Sequence, residues 1–199
     1  AEENNFQGKM ATDSKPANKG GMFEEQEGFP FGWAMSASGL AAVWAEDNTR
    51  ESIVAAMRRR EVYASTGPRI GVRFYGGWGL TDADLAAAEF PENLTDRAVP
   101  MGGELLHAEA GVPTFLIEAT ADPMAANLDR VQVIKGWVDS DGHSHEQVFD
   151  VAWGGGDRLN ADGSLAPVGS TVNLETGRYD NSIGAARLTA SWVDPTFNA

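Results

Sequence analysis

From residue 69 onward the chain keeps returning to runs of strand length separated by turn-forming clusters, and no other feature narrows its fold as much. Residues 114–120, 130–138 and 147–153 are three such runs. Between the last two stands Asp139-Ser140-Asp141-Gly142, whose Asp-Gly pair suits a tight hairpin. Leu188, Ala190 and Trp192 alternate with Arg187, Thr189 and Ser191, the pattern of a half-buried strand, and Asp194-Pro195 ends it. Ile70, Val72 and Phe74 alternate in the same way against Arg69, Gly71 and Arg73. Thr66-Gly67-Pro68 makes the turn from the strand-like Val62-Tyr63-Ala64 into that run. Together these runs predict a two-layer antiparallel β-sandwich of immunoglobulin-like type over residues 69–199.

The preceding segment reads differently. Residues 1–31 show neither a period of 2 nor one of 3.6. Gly39-Leu40-Ala41-Ala42-Val43-Trp44 is a short apolar run, expected to be a strand buried on both faces. A helix follows, with Asn48 as the predicted N-cap and Glu51 reaching back to it; Ile53, Val54 and Met57 form its apolar side, and Arg58, Arg59 and Arg60 close it. A strand, an acidic loop and a capped helix make the unit that α/β barrels repeat, and it occurs once here. The expected fold is therefore α+β: a remnant of an α/β barrel over 1–68, then the sandwich over 69–199. Residues 76–113 read as connecting sequence with a weakly helical piece at 82–90.

With 15 Lys and Arg against 29 Asp and Glu the net charge is −14, so a phosphate backbone is repelled and nucleic acid is excluded as a partner. The absence of cysteine excludes disulfides, thiolate metal sites and cysteine nucleophiles. No apolar run approaches a membrane span, and Ala1-Glu2-Glu3-Asn4-Asn5 lacks the regions of a signal peptide. A start without Met inside an acidic stretch places the expected beginning of the protein further upstream.

The histidines are His107, His143 and His145. The last two, with Asp139 and Asp141 close by, have a spacing from which an extended segment reaches an ion, but ordinary hairpin chemistry explains the same residues more simply. The glycine runs 76–77, 102–103 and 154–156 match no phosphate-binding loop and read as turns and bulges. No Gly-x-Ser-x-Gly elbow is present. The cluster Trp44-Ala45-Glu46-Asp47-Asn48-Thr49-Arg50 supports two readings equally: chemistry at the end of a barrel strand, or an acidic helix start favoured by the helix dipole.

Ala1-Glu2-Glu3-Asn4-Asn5-Phe6-Gln7-Gly8-Lys9, the run 38–53 around Trp44-Ala45-Glu46-Asp47-Asn48, and the run 59–70 with Tyr63-Ala64-Ser65-Thr66-Gly67-Pro68 resemble segments of a large bacterial family catalogued only as a domain of unknown function. Residues 127–138 and 148–153 fit it too, so the resemblance covers almost the whole chain. That family is similar to polymerase-and-histidinol-phosphatase (PHP) metallohydrolases and to carbaryl-hydrolase-like enzymes. The resemblance implies a metal-dependent hydrolase of phosphate or other esters that uses a divalent zinc, manganese or magnesium ion in the full-length protein. It also implies that an Asp-x-His ligand motif lies upstream of the Ala1 stretch, so no residue here is a metal ligand and this chain alone is inactive. Trp44, Glu46, Asn48 and Arg50 match a family motif expected at the active-site mouth. The implied partners are a small ester substrate and the upstream barrel domain, and a periplasmic or secreted location is compatible with both. The competing expectation is a binding module that holds a glycan or a protein on exposed tryptophans among Trp78, Trp137, Trp153 and Trp192.

Overall fold

The computed structural model describes residues 39–94, 96–106 and 111–197. The expectations for residues 1–31 and His107 lie outside these. The described chain is mostly strand with few helices, and its sheets are not closed into a barrel.

Its elements in order are β1 (Leu40–Val43), α1 (Arg50–Arg58), β2 (Val62–Ser65), β3 (Gly71–Trp78), α2 (Asp82–Ala86), a 3-10 turn (Glu92–Leu94), β4 (Ala98–Pro100), β5 (Pro113–Thr120), β6 (Arg130–Val138), β7 (Ser144–Trp153) and β8 (Arg187–Val193). A central antiparallel sheet has the strand order β4-β3-β5-β8, while β6 pairs with β7 and β1 with β2. Alternation along β5 gives the central sheet two apolar faces. Leu116 packs with Leu80 and Leu94 on one side. Ala119 packs with Leu128 and Leu188 on the other, against Val131 of β6 and Ala152 of β7. This gives the sandwich-like layering expected from residue 69 onward.

Rings join the layers. Phe74 and Phe115 stack at 5.4 Å, Phe115 meets Trp192 at 5.6 Å, and Trp192 meets Phe149 of the hairpin at 5.1 Å. Such pairs each add about 0.5–1.5 kcal/mol beyond the area they bury. Beside them the Lys135 ammonium lies 2.6 Å from the buried Asp194 carboxylate. Burial pushes the Asp194 carboxyl up, but Lys135 and the N–H and hydroxyl of Thr196 outweigh it and leave the group below the usual carboxylate range.

Three expectations are corrected by the structure. The run 39–44 is not a strand buried on both faces: Leu40 is 44 % exposed, and β1 pairs antiparallel with β2, Leu40 opposite Ser65 and Val43 opposite Val62. A barrel repeat requires parallel neighbours, which this strand–helix–strand segment does not form. The helix N-cap is Thr49, not Asn48; the Thr49 hydroxyl accepts from Ser52 N–H at 3.3 Å, and Ser52 Oγ accepts in turn from Asp47 N–H at 3.0 Å. The cap lies one residue later than expected because Thr49 is the residue with extended backbone, and it lacks the reciprocal bond of a capping box, since Ser52 Oγ takes the Asp47 N–H rather than that of Thr49.

The third correction concerns Gly76 and Gly77, which are not a turn. They lie inside β3, opposite Phe115 and Thr114. A Cβ at Gly76 would stand 2.9 Å from the Phe115 ring, and one at Gly77 would stand 2.5 Å from the Arg97 carbonyl. The missing side chains let β4 and the preceding turn close on the sheet.

Candidate functional site

The end of α1 builds one wall of a cleft. The Arg60 N–H donates to Met57 O and the Glu61 N–H to Ala56 O, a Schellman closure in which Arg60 takes the left-handed conformation at φ 64. The Arg60 guanidinium donates to Gly102 O at 2.6 Å. This closure turns Arg59 and Glu61 toward each other, so that Arg59 donates through Nε and Nη2 to one Glu61 oxygen at 3.1 and 2.8 Å. That hydrogen bond raises the Arg59 pKa, with the charges of Glu61 and then Glu46 adding to the effect.

β3 supplies the facing wall. Trp44 leaves β1 and is held twice: its N–H donates to Glu61 O and its indole Nε1–H to Val72 O, each at 2.9 Å. The Arg73 guanidinium lies 4.2 Å from the indole centroid. Tyr75, two residues on and hence on the same face, meets Phe90 edge-on at 5.9 Å. Burial pushes the Tyr75 phenol up and the Glu61 charge adds to it, so it stays protonated and able to donate. The cleft between these walls measures about 520 Å³, with Leu94, Ala98 and Pro100 among its lining residues and Glu46 and Glu92 also contributing.

Of the residues expected at an active-site mouth, Trp44 and Glu46 line this cleft; Asn48 and Arg50 do not, and lie exposed at the start of α1. Arg59, Glu61, Arg73 and Tyr75 were not expected there. Arg59 reads in sequence as a helix terminus and Arg73 as the polar side of a strand. Only the alternation that puts Arg73 and Tyr75 on one face of β3 hints at their partnership.

A larger hollow of about 820 Å³ lies under α2, lined by Asp82, Leu85, Glu118, Arg187, Thr189 and Ser191. Its guanidinium, Arg187, already pairs with the Glu118 carboxylate. The smaller cleft is chemically the better candidate because Arg73 there meets no acceptor among the described residues.

The hairpin histidines are placed as turn chemistry expects. Asp139 Oδ1 accepts from the N–H groups of Asp141 and His143, both at 2.9 Å, and Oδ2 lies 2.7 Å from His145 Nε2. The His145 hydrogen bond, followed by the His143 N–H, holds the Asp139 carboxyl below its usual range. Asp139, Asp141 and His143 do bring one ligand atom each within 4.8 Å of the others. However, the Asp139 oxygens are already engaged within the turn. Among the described residues the cleft has no histidine, the chain has no cysteine, and Glu61 is held by Arg59. Among the described residues neither set fits an open catalytic metal site. Of the four tryptophans considered for a binding face, only Trp137 is exposed, at 40 %, and it stacks on His145 at 5.2 Å.

Fold and cleft together define a β-rich α+β protein with a mixed-charge cleft where its first strand pair meets the central sheet. Residues 1–199 match the family described as "Protein of unknown function (DUF3604)", and the chain belongs to that family. No curated protein and no solved structure matches it.

Proposed function

We propose that this chain is the C-terminal part of a metal-dependent hydrolase of phosphate or other esters, in which the cleft under Trp44 forms the active-site mouth. The observation that carries the proposal is the joint itself. Trp44 and Glu46, from the stretch 38–53 that resembles the family motif expected at the active-site mouth, line the same cleft as Arg59, Arg73 and Tyr75, and the stretch 63–68 that resembles the carbaryl-hydrolase-like passage into the β-domain follows in the chain. Exposed Leu40, Val54, Met57 and Val62 on the β1–α1–β2 segment fit a piece that continues into an upstream barrel. In this reading residues 1–68 end the upstream barrel domain, with the antiparallel β1–β2 pair as its closing piece rather than a further barrel repeat, residues 69–199 are the immunoglobulin-like accessory domain, and the metal ligands lie upstream. When bound, such an ion activates water for hydrolysis. The residues described here shape the mouth and set its charge.

Hydrolysis of a panel of phosphate and carboxylate esters, with manganese or zinc added, tests the proposal on this chain and on the longer gene product side by side. Activity confined to the longer product is expected. Activity in this chain alone, or in neither, overturns it.

A further inference from the structure

We infer that the cleft receives a small molecule bearing an oxyanion, gripped by the Arg73 guanidinium and given a further hydrogen bond by the Tyr75 hydroxyl. This rests on reading the cleft as the active-site mouth and adds the chemical class of what enters it. Arg59 in the same cleft is committed to Glu61, and beyond the cleft Arg60 is committed to Gly102 O, Arg97 to Asp84 and Arg158 to Asp129. Arg73 lines the cleft, half-buried and fixed over the Trp44 indole, and among the described residues its N–H groups meet no acceptor. A guanidinium held over a ring in this way loses little freedom when it receives a planar or tetrahedral oxyanion.

Tyr75 stands beside it on the same face, and among the described residues its hydroxyl also has no hydrogen-bond partner. A volume of about 520 Å³ suits a small ligand. The cleft carboxylates limit the occupant's charge without excluding it. Glu61 is neutralised by Arg59, and Glu46 is exposed where solvent screens it. Glu92 adds negative charge, so a carboxylate or a monoester phosphate fits better than a polyphosphate.

The test is an NMR titration of this chain with inorganic phosphate and with acetate, at constant ionic strength set by chloride, following the Trp44 indole N–H. A saturable shift is expected with at least one of the two anions. Arg73→Gln should weaken it about 10-fold or more, and Tyr75→Phe by a smaller factor. Arg73→Lys keeps the charge but loses the fork, so it should weaken binding measurably even if the glutamine variant fails to fold. No saturable shift with either anion, or equal affinity in wild type and Arg73→Lys, overturns the inference. The two readings fail separately. Anion binding without hydrolysis by the longer product sinks only the hydrolase, whereas hydrolysis with an unchanged KM in Arg73→Lys sinks only the oxyanion grip.

Discussion

The Arg73 guanidinium rests 4.2 Å above the Trp44 ring, while the same indole donates its N–H to the carbonyl of Val72, the residue just before that arginine. One tryptophan thus ties the first strand pair to the central sheet by a hydrogen bond and a cation–π contact made to adjacent residues. Trp44→Phe keeps a ring under Arg73 but deletes the donor. It should lower unfolding stability by about 1–2 kcal/mol, read as a fall in the urea midpoint at unchanged slope. An unchanged midpoint would mean that the contact does not hold the two parts together.

The Asp84 carboxylate accepts from Arg97, then from the Thr81 hydroxyl and N–H, and these hold its pKa down at about 2. A carboxyl depressed in the folded state stabilises above its unfolded value of about 3.9 and loses that contribution as pH falls through the folded value. Melting temperatures between about pH 4 and pH 2 should therefore fall less steeply in Asp84→Asn than in the wild type. Parallel curves would refute the link.

Lys135 and Asp194 join the β6–β7 hairpin to the end of β8 at 2.6 Å, with Asp194 buried. Asp194→Ala leaves the ammonium without its carboxylate and should cost roughly 3 kcal/mol. The double variant Lys135→Met with Asp194→Ala should recover part of that loss. If it recovers none, the cost lies in the Thr196 turn that Asp194 also holds.

Two strand glycines should respond in opposite directions. Gly77→Ala drives a Cβ to 2.5 Å from the Arg97 carbonyl and 2.8 Å from Leu80 Cδ1, and should cost about 1–3 kcal/mol. At Gly136 the nearest atom is 3.8 Å away, so Gly136→Ala should be neutral or stabilise by up to about 1 kcal/mol. Chemical denaturation of the pair side by side checks the contrast.

Local pattern made much of this architecture legible. The run 130–138 coincides with β6, and the alternation at Leu188, Ala190 and Trp192 lies within β8, because a period of two is written in neighbouring residues. β4 was missed: it has three residues, includes Pro100, and pairs only because the glycines of β3 admit it. The cap moved by one residue because Asn48 and Thr49 both suit the position and only backbone geometry chooses between them. The cleft was half legible. Trp44 and Glu46 are close in sequence, whereas Arg73 and Tyr75 come to face them through a tertiary contact that spacing does not encode.

The β6–β7 hairpin meets the rest of the molecule at few points: Phe149 on Trp192, Lys135 on Asp194, and Val131 with Ala152 at its base. One of its faces exposes Ile134, Val138 and Val148. A unit hydrogen-bonded within itself and fastened through one face can detach with its own ladder intact. Amide protons where the hairpin meets the sheet should then exchange with solvent well before those of β3 and β5, whose release requires the central sheet to come apart.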